Sequence, residues 1–372
     1  MAPSKLSARA YPPFRADHVG SLLRPAQLKA KRTQRERNEI SASDLRAAED
    51  LAIEGAVRKQ ASLGLLGITD GEYRRSYWHF DFLEALQGVA LHEGGPGNAF
   101  KPKILEVTGS LGYRPHPHVA QFEFLRDRVK GFHGAVAKVC IPSPSVLHYR
   151  GGRKYISEAA YPDMAEYFHD LGLVYQQEIA AFAAAGCKYL QLDEVNFTYL
   201  CDSDQREMLR ARGDDPETLP EVYADLINLA LAVRPADMHV TMHLCRGNFR
   251  SMWAAQGGYE QVADVLFNTV NVDGYFMEWD TDRAGGFEPL RRVPDGKQVA
   301  LGLMTSKTGE LESKEFLMRR IGEASKYIPL DQLSLSPQCG FASTEEGNTL
   351  SEEEQWEKLA RLVETAHEVW GF

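Results

Sequence analysis

Eight short apolar runs, each followed by a longer stretch of helical periodicity, constrain this chain more than any other feature. The runs are RADHVGSL, LLGITDGE, GAVAKVCIPSP, KYLQLDEVN, HVTMHLC, DGYFMEWD, QVALGLMTS and QLSLSPQCG. Several are almost continuously apolar, as parallel strands buried on both faces must be. The intervening segments repeat apolar residues at helical spacing. In SEEEQWEKLARLVETAHEVW, Ser351 and Glu354 form a capping box. Trp356, Leu359, Val363, Ala366 and Trp370 then recur along one helical face. Eight strand–helix alternations predict an α/β fold, a (β/α)8 TIM barrel. The 372 residues are read as one such barrel over 1–372. Residues 88–134 break the rhythm with Gly, Pro and a further strand-like run, KILEVTGSLGY. They are expected to form an inserted hairpin excursion between barrel strands 2 and 3.

Charge and composition narrow the function. The net charge of −10 argues against a nucleic-acid partner, whose backbone selects basic surfaces. No apolar run approaches the roughly 20 residues that span a bilayer, and MAPSKLSARAYPPF lacks the hydrophobic core of a signal peptide. A cytoplasmic protein without membrane partners is expected, and a homo-oligomer stays open. The five cysteines, Cys140, Cys187, Cys201, Cys245 and Cys339, are odd in number and dispersed, which is not a disulfide framework. In a reducing compartment such residues are fillers, metal ligands or nucleophiles.

In a barrel of this type the active site lies at the C-terminal strand ends, and the polar residues collect there. The ends carry His18, Gly20 and Ser21; Asp70, Gly71 and Glu72; Asp193 and Glu194; His243 and Cys245; Glu278; and Cys339. The N-terminal ends carry nothing comparable. Strand side chains alternate faces, so His243 and Cys245 project together. A buried strand cysteine or a lone histidine is more often structural. Four candidates at one end of the barrel, His243, Cys245, Glu278 and Cys339, instead suggest a tetrahedral site, and two thiolates, an imidazole and a carboxylate favour Zn2+. Such a centre has a net charge of −1, poor for activating water but suited to binding a substrate thiol as thiolate. S-alkylation of a thiol is the chemistry implied. Glu72 and Asp193 suit an ammonium group, or else pair within the barrel mouth. Ser21 and the backbone near Gly20 suit a carboxylate. Trp78 and His79, in YRRSYWHFDF, either roof the pocket or pack on the first helix. His18 either faces the metal, as a catalytic group, or braces its strand.

HLC, a Glu on the next strand and SPQCG together resemble the zinc-binding elements of the cobalamin-independent methionine synthase family, in its C-terminal catalytic barrel. LQLDE, VGS and DGE resemble further elements of that barrel, and the similarity runs from about residue 14 to 365. ADHVGSLLRP and LGLMTSKTGELE place the chain nearest the short, single-barrel members. The resemblance implies zinc held by His243, Cys245, Glu278 and Cys339, with Ser21, Glu72 and Asp193 holding homocysteine or a similar thiol. It aligns Lys307 with a proton-transferring histidine and Tyr149 with the aromatic that stacks on folate. A lysine is a poorer proton shuttle near neutral pH. The family's DEPA stands here as DEVN, with Val195 and Asn196.

The leading expectation is therefore a zinc-dependent methyltransferase acting on homocysteine, its partners a small thiol and a methyl donor. Two alternatives stay open: an epoxide:thiol transferase of the coenzyme M type, and a non-catalytic protein that binds zinc or a thiol.

Overall fold

A computed structural model of the chain describes residues 9–92 and 103–372. Seven parallel strands form one sheet and follow one another across it in chain order. They are β1 (Gly67–Ile68), β4 (Val136–Pro142), β5 (Tyr189–Glu194), β6 (His239–Leu244), β7 (Gly274–Glu278), β8 (Gln298–Met304) and β9 (Leu333–Pro337). The eighth position is taken by the segment around Ala16, which bridges Leu335 in parallel. The ring closes through Thr69 Oγ1 donating to the Gly20 carbonyl at 2.6 Å and Leu22 N–H to the Gly71 carbonyl at 3.0 Å. All eight apolar runs thus become barrel positions, the first reduced to a single bridge and the second to two residues. The expected TIM barrel is the observed architecture.

The excursion is an antiparallel hairpin of β2 (Gln87–His92) and β3 (Ile104–Gly112), between the second and third barrel strands. Of the expected span 88–134, residues 93–102 lie outside the described residues, and the part beyond Gly112 is not hairpin: Pro117–Val129 is a helix that buries Phe122, Leu125 and Val129, a helical spacing that the Gly- and Pro-rich flanks had obscured. Helices cover the barrel wall, and the last, Glu352–Trp370, shows how the sequence sets them. Ser351 and Glu354 cap it reciprocally, and Gly371 ends it at φ 72°, a left-handed conformation glycine takes without strain. Its buried face includes Leu359, Leu362, Val363, Ala366 and Trp370. None of the helices described is long and apolar enough to cross a membrane.

The lumen is filled, not hollow. Val19, Phe276 and Ala300 form their own small cluster inside the ring. Beneath them Lys138 pairs with Asp17 at 3.4 Å, both side chains fully buried. Tyr189 donates to Asp17 at 2.8 Å, and Lys138 lies over the Phe276 ring at 4.0 Å. Buried charges need such pairing. The lower lumen is therefore more polar than the sequence suggested, and this network plugs the barrel below the mouth.

Candidate active site

Register places the functional side chains. Asp193 on β5 lies directly beside His243 on β6, so both project into the lumen at the same height. Cys245 follows two residues on, just past the strand. Cys339 arrives on the turn after β9, and its sulfur is 3.3 Å from that of Cys245. The ligand atoms of His243, Cys245 and Cys339 all lie within 4.8 Å of one another, and all three residues are buried. Neither ring nitrogen of His243 makes a well-aligned hydrogen bond among the described residues; the polar group that acts on it most is the Cys339 sulfur. An imidazole left so beside two sulfurs fits a metal ligand.

The electrostatics of the triplet are strongly coupled. The Cys339 thiol is held well below its ordinary value by the hydrogen bond from Cys245, with His243 and Lys307 reinforcing this against burial. Cys245 rises because it donates that bond and is buried. Burial alone would lower His243, but nearby Cys339, Asp193 and Glu278 outweigh it and raise it. Metal binding needs both sulfurs deprotonated, and the shared proton between them is what an incoming cation would displace.

Glu278 is a partial exception to the expected set. It ends β7, fully buried, but stands outside the triplet. One carboxylate oxygen pairs with Arg283, and the other accepts the Arg246 backbone N–H at 3.0 Å.

The triplet opens on a cavity of about 850 Å3, whose lining includes Ser21, Glu72, Trp78, Asp193, His243 and Cys339. Gly71 and Glu72 both adopt left-handed φ, 66° and 58°. For a non-glycine residue this is strained, and such strain collects at functional sites. Arg75 stands 3.6 Å from the Glu72 carboxylate. Burial pushes Glu72 up to about 7, Arg75 opposing and Asp193 adding to the rise. Asp193 is also raised by burial and accepts from Gln191 at 2.7 Å. Ser21 Oγ accepts the Ala342 N–H at 3.3 Å, which ties the first strand's end to the Cys339 turn. Trp78 and His79 line the cavity, and neither His79 nitrogen has a partner among the described residues.

Three expected residues fall elsewhere. His18, expected among the catalytic groups, bonds Gln60 on helix Ala42–Ser62 at 2.9 Å. It braces the strand outside the lumen, and burial first, then Lys138, lowers it to about 4. Tyr149 is turned away: its hydroxyl donates to Gln205 at 3.2 Å, and its ring packs on Tyr199, which lines the cavity in its stead. Lys307 stops behind the cavity wall, donating to the Gly247 carbonyl at 3.1 Å. Its charge reaches the two thiols, so its influence is electrostatic. Of the DEVN departure, Val195 lines the cavity, whereas Asn196 turns inward to Ser145 at 2.8 Å.

Sequence reasoning missed Arg75, Tyr199, Arg283 and Cys140. Cys140 sits on the lumen face of β4 and joins Glu72 and Asp193 in a second buried cluster. Its position two residues after Lys138 was the available signal.

The family model described as cobalamin-independent synthase, catalytic domain, matches residues 135–368. This chain belongs to that family. It is 49% identical over 364 residues to the uncharacterized protein YxjH of Bacillus subtilis (strain 168), covering 96% of this chain and 95% of the relative. It is 24% identical to a methionine synthase of Pyrococcus abyssi, covering 87% and 85%. A solved putative vitamin-B12 independent methionine synthase from Listeria monocytogenes superposes with a TM-score of 0.80 at 42% identity, covering 97% of this chain and 99% of that one. The protein is a methyltransferase-like member of the cobalamin-independent methionine synthase family.

Proposed function

We propose that this protein is a zinc-dependent S-methyltransferase acting on a small amino-acid thiol, homocysteine, to give methionine. The observation that carries this reading is the buried His243, Cys245 and Cys339 triplet, in the wall of the cavity that also holds Glu72 and Asp193. Two sulfurs and an imidazole suit Zn2+. When bound, zinc keeps a substrate thiol in its nucleophilic thiolate form.

The protein's own groups do the rest. Glu72 and Asp193 accept hydrogen bonds from the substrate ammonium, and Arg75, 3.6 Å away, favours the Glu72 carboxylate. Ser21 donates its hydroxyl proton to the substrate carboxylate. A thiol of this size fills a small part of about 850 Å3. The wall bearing Trp78, Tyr199 and Trp253 is left for a larger methyl donor, whose exclusion of water favours attack by a desolvated sulfur.

Zinc K-edge X-ray absorption, before and after L-homocysteine, tests the reading together with methyl-transfer assays using methyltetrahydrofolate and methylcobalamin. One sulfur more and one lighter ligand fewer around zinc, with methionine formed from a donor, is the expected result. A zinc-loaded protein that neither gains sulfur nor forms methionine overturns it. Addition of a thiol to an epoxide under the same conditions would replace it with the alkyl-transfer alternative.

A further inference from the structure

Glu278 has two claimants. It ends β7 next to the triplet strand β6, and it accepts the backbone N–H of Arg246, the residue that follows Cys245, at 3.0 Å. Yet its carboxylate is engaged by Arg283 and by the Arg246 backbone N–H. Arg283 is built into this place. It sits on the turn Asp282–Ala284, donates to Thr281 Oγ1 at 3.0 Å and stands 3.5 Å from Asp280. Its guanidinium lies 4.6 Å from the Trp253 ring, and its own carbonyl accepts the Gly257 N–H at 3.0 Å.

Resting on the zinc reading above, we propose that Arg283 is a positioning residue that competes with the metal for Glu278. It receives the carboxylate when the substrate sulfur takes the carboxylate's place. A buried carboxylate set free with no cation to meet it is strongly unfavourable. Arg283 removes that penalty and so makes Glu278 a displaceable ligand, while His243, Cys245 and Cys339 stay. Trp253 links the device to the rest of the site. It lines the cavity, is 56% exposed, and carries Arg283 on its ring. A methyl donor that touches Trp253 therefore touches the residue against which Arg283 is set.

The sign of one measurement separates this role from a merely structural one. Outer-shell groups that only orient a ligand lower metal affinity when removed, by about 10- to 100-fold. A competitor has the opposite effect. Zinc affinity by chelator competition, and zinc X-ray absorption with and without L-homocysteine, are measured on the full chain as wild type, Arg283→Gln and Arg283→Lys. Arg283→Gln is expected to bind zinc more tightly, by about tenfold or more, the worth of the competing charge-assisted hydrogen bond that it removes, and to keep its lighter ligand when homocysteine is added. Arg283→Lys, which keeps the charge without the planar fork, is expected between the two. Equal or weaker zinc binding by a folded Arg283→Gln, with sulfur still replacing the lighter ligand, overturns the proposal alone. A wild-type protein that binds no zinc overturns it together with the function on which it rests. If Arg283→Gln does not fold, Arg283→Lys decides by the same sign.

Discussion

Glu72 shows how one residue's surroundings set the site's working range. Burial holds its carboxyl near 7 in the free protein, against an ordinary 4.5. The ionised form holds an ammonium by a charge-assisted hydrogen bond that the neutral acid, a weaker acceptor, cannot match, so the charge-assisted affinity that Glu72 supplies is present above pH 7 and is lost as pH falls through 7. Glu72→Gln keeps the shape without the charge. It is expected to raise KM for homocysteine by roughly ten- to a hundredfold at pH 8, the worth of about 1.5–3 kcal/mol for a charge-assisted hydrogen bond. The ratio of variant to wild-type KM should shrink toward pH 6. Ionisation of the thiol itself is common to both proteins and cancels in that ratio. A ratio that does not change with pH would remove Glu72 from the ammonium clamp. The residue types at the mouth were legible because each falls in a strand-end motif. Which of them faces the cavity was not: His18 and Tyr149 occupy equally suggestive positions and point to Gln60 and Gln205 instead.

At the scale of elements, helix Met164–Ala184 carries an unexplained cost. Glu178 is fully buried there, and neither carboxyl oxygen has a partner among the described residues. Burial raises it to about 8 from 4.5. Below 4.5 both the folded and unfolded chains keep the proton, and the group leaves stability unchanged. Between 4.5 and 8 the unfolded chain loses its proton first, so the folded state loses stability as pH rises, until the loss is complete above 8. Glu178→Gln removes this loss. Its Tm should exceed that of the wild type at pH 8 and match it near pH 4, as read by calorimetry. An equal gain at both pH values would mean that packing, not ionisation, is responsible. The hairpin of β2 and β3 was legible from its Gly-rich break and strand-like run, since alternation and turn residues are local signals. The shortness of β1, only two residues, was not, because strand length depends on which neighbours offer partners.

Across the whole molecule, the triplet ties together parts of the chain 94 residues apart, Cys245 and Cys339. A metal bound there binds the folded state alone, since the unfolded chain does not bring the ligands together. With zinc at about a thousand times its dissociation constant, the gain is about 4 kcal/mol, several degrees in Tm. Stripping zinc with a chelator should lower Tm by that amount and re-addition restore it, while Cys339→Ser should show little response to either. A wild-type Tm unchanged by chelation and zinc would deny the metal its place between β6 and the turn after β9. The plugged lumen sets the depth of this site. The Lys138, Asp17 and Tyr189 network and the Phe276 cluster below it confine substrates to the upper end.

By itself the sequence determined the barrel, because eight apolar strands with amphipathic helices have few other ways to bury both strand faces. It also determined the chemistry on offer, since strand alternation and the C-terminal-end rule bring the His, Cys and acid residues to one mouth. Only the tertiary structure decided how those residues are shared out. Glu278 stands with Arg283 rather than in the triplet, Lys307 lies behind the wall, and Cys140 lies beside Glu72 and Asp193. These are outcomes of competition among buried charges for partners. That competition depends on distances across the ring, between residues far apart in the chain, and no local pattern encodes those distances.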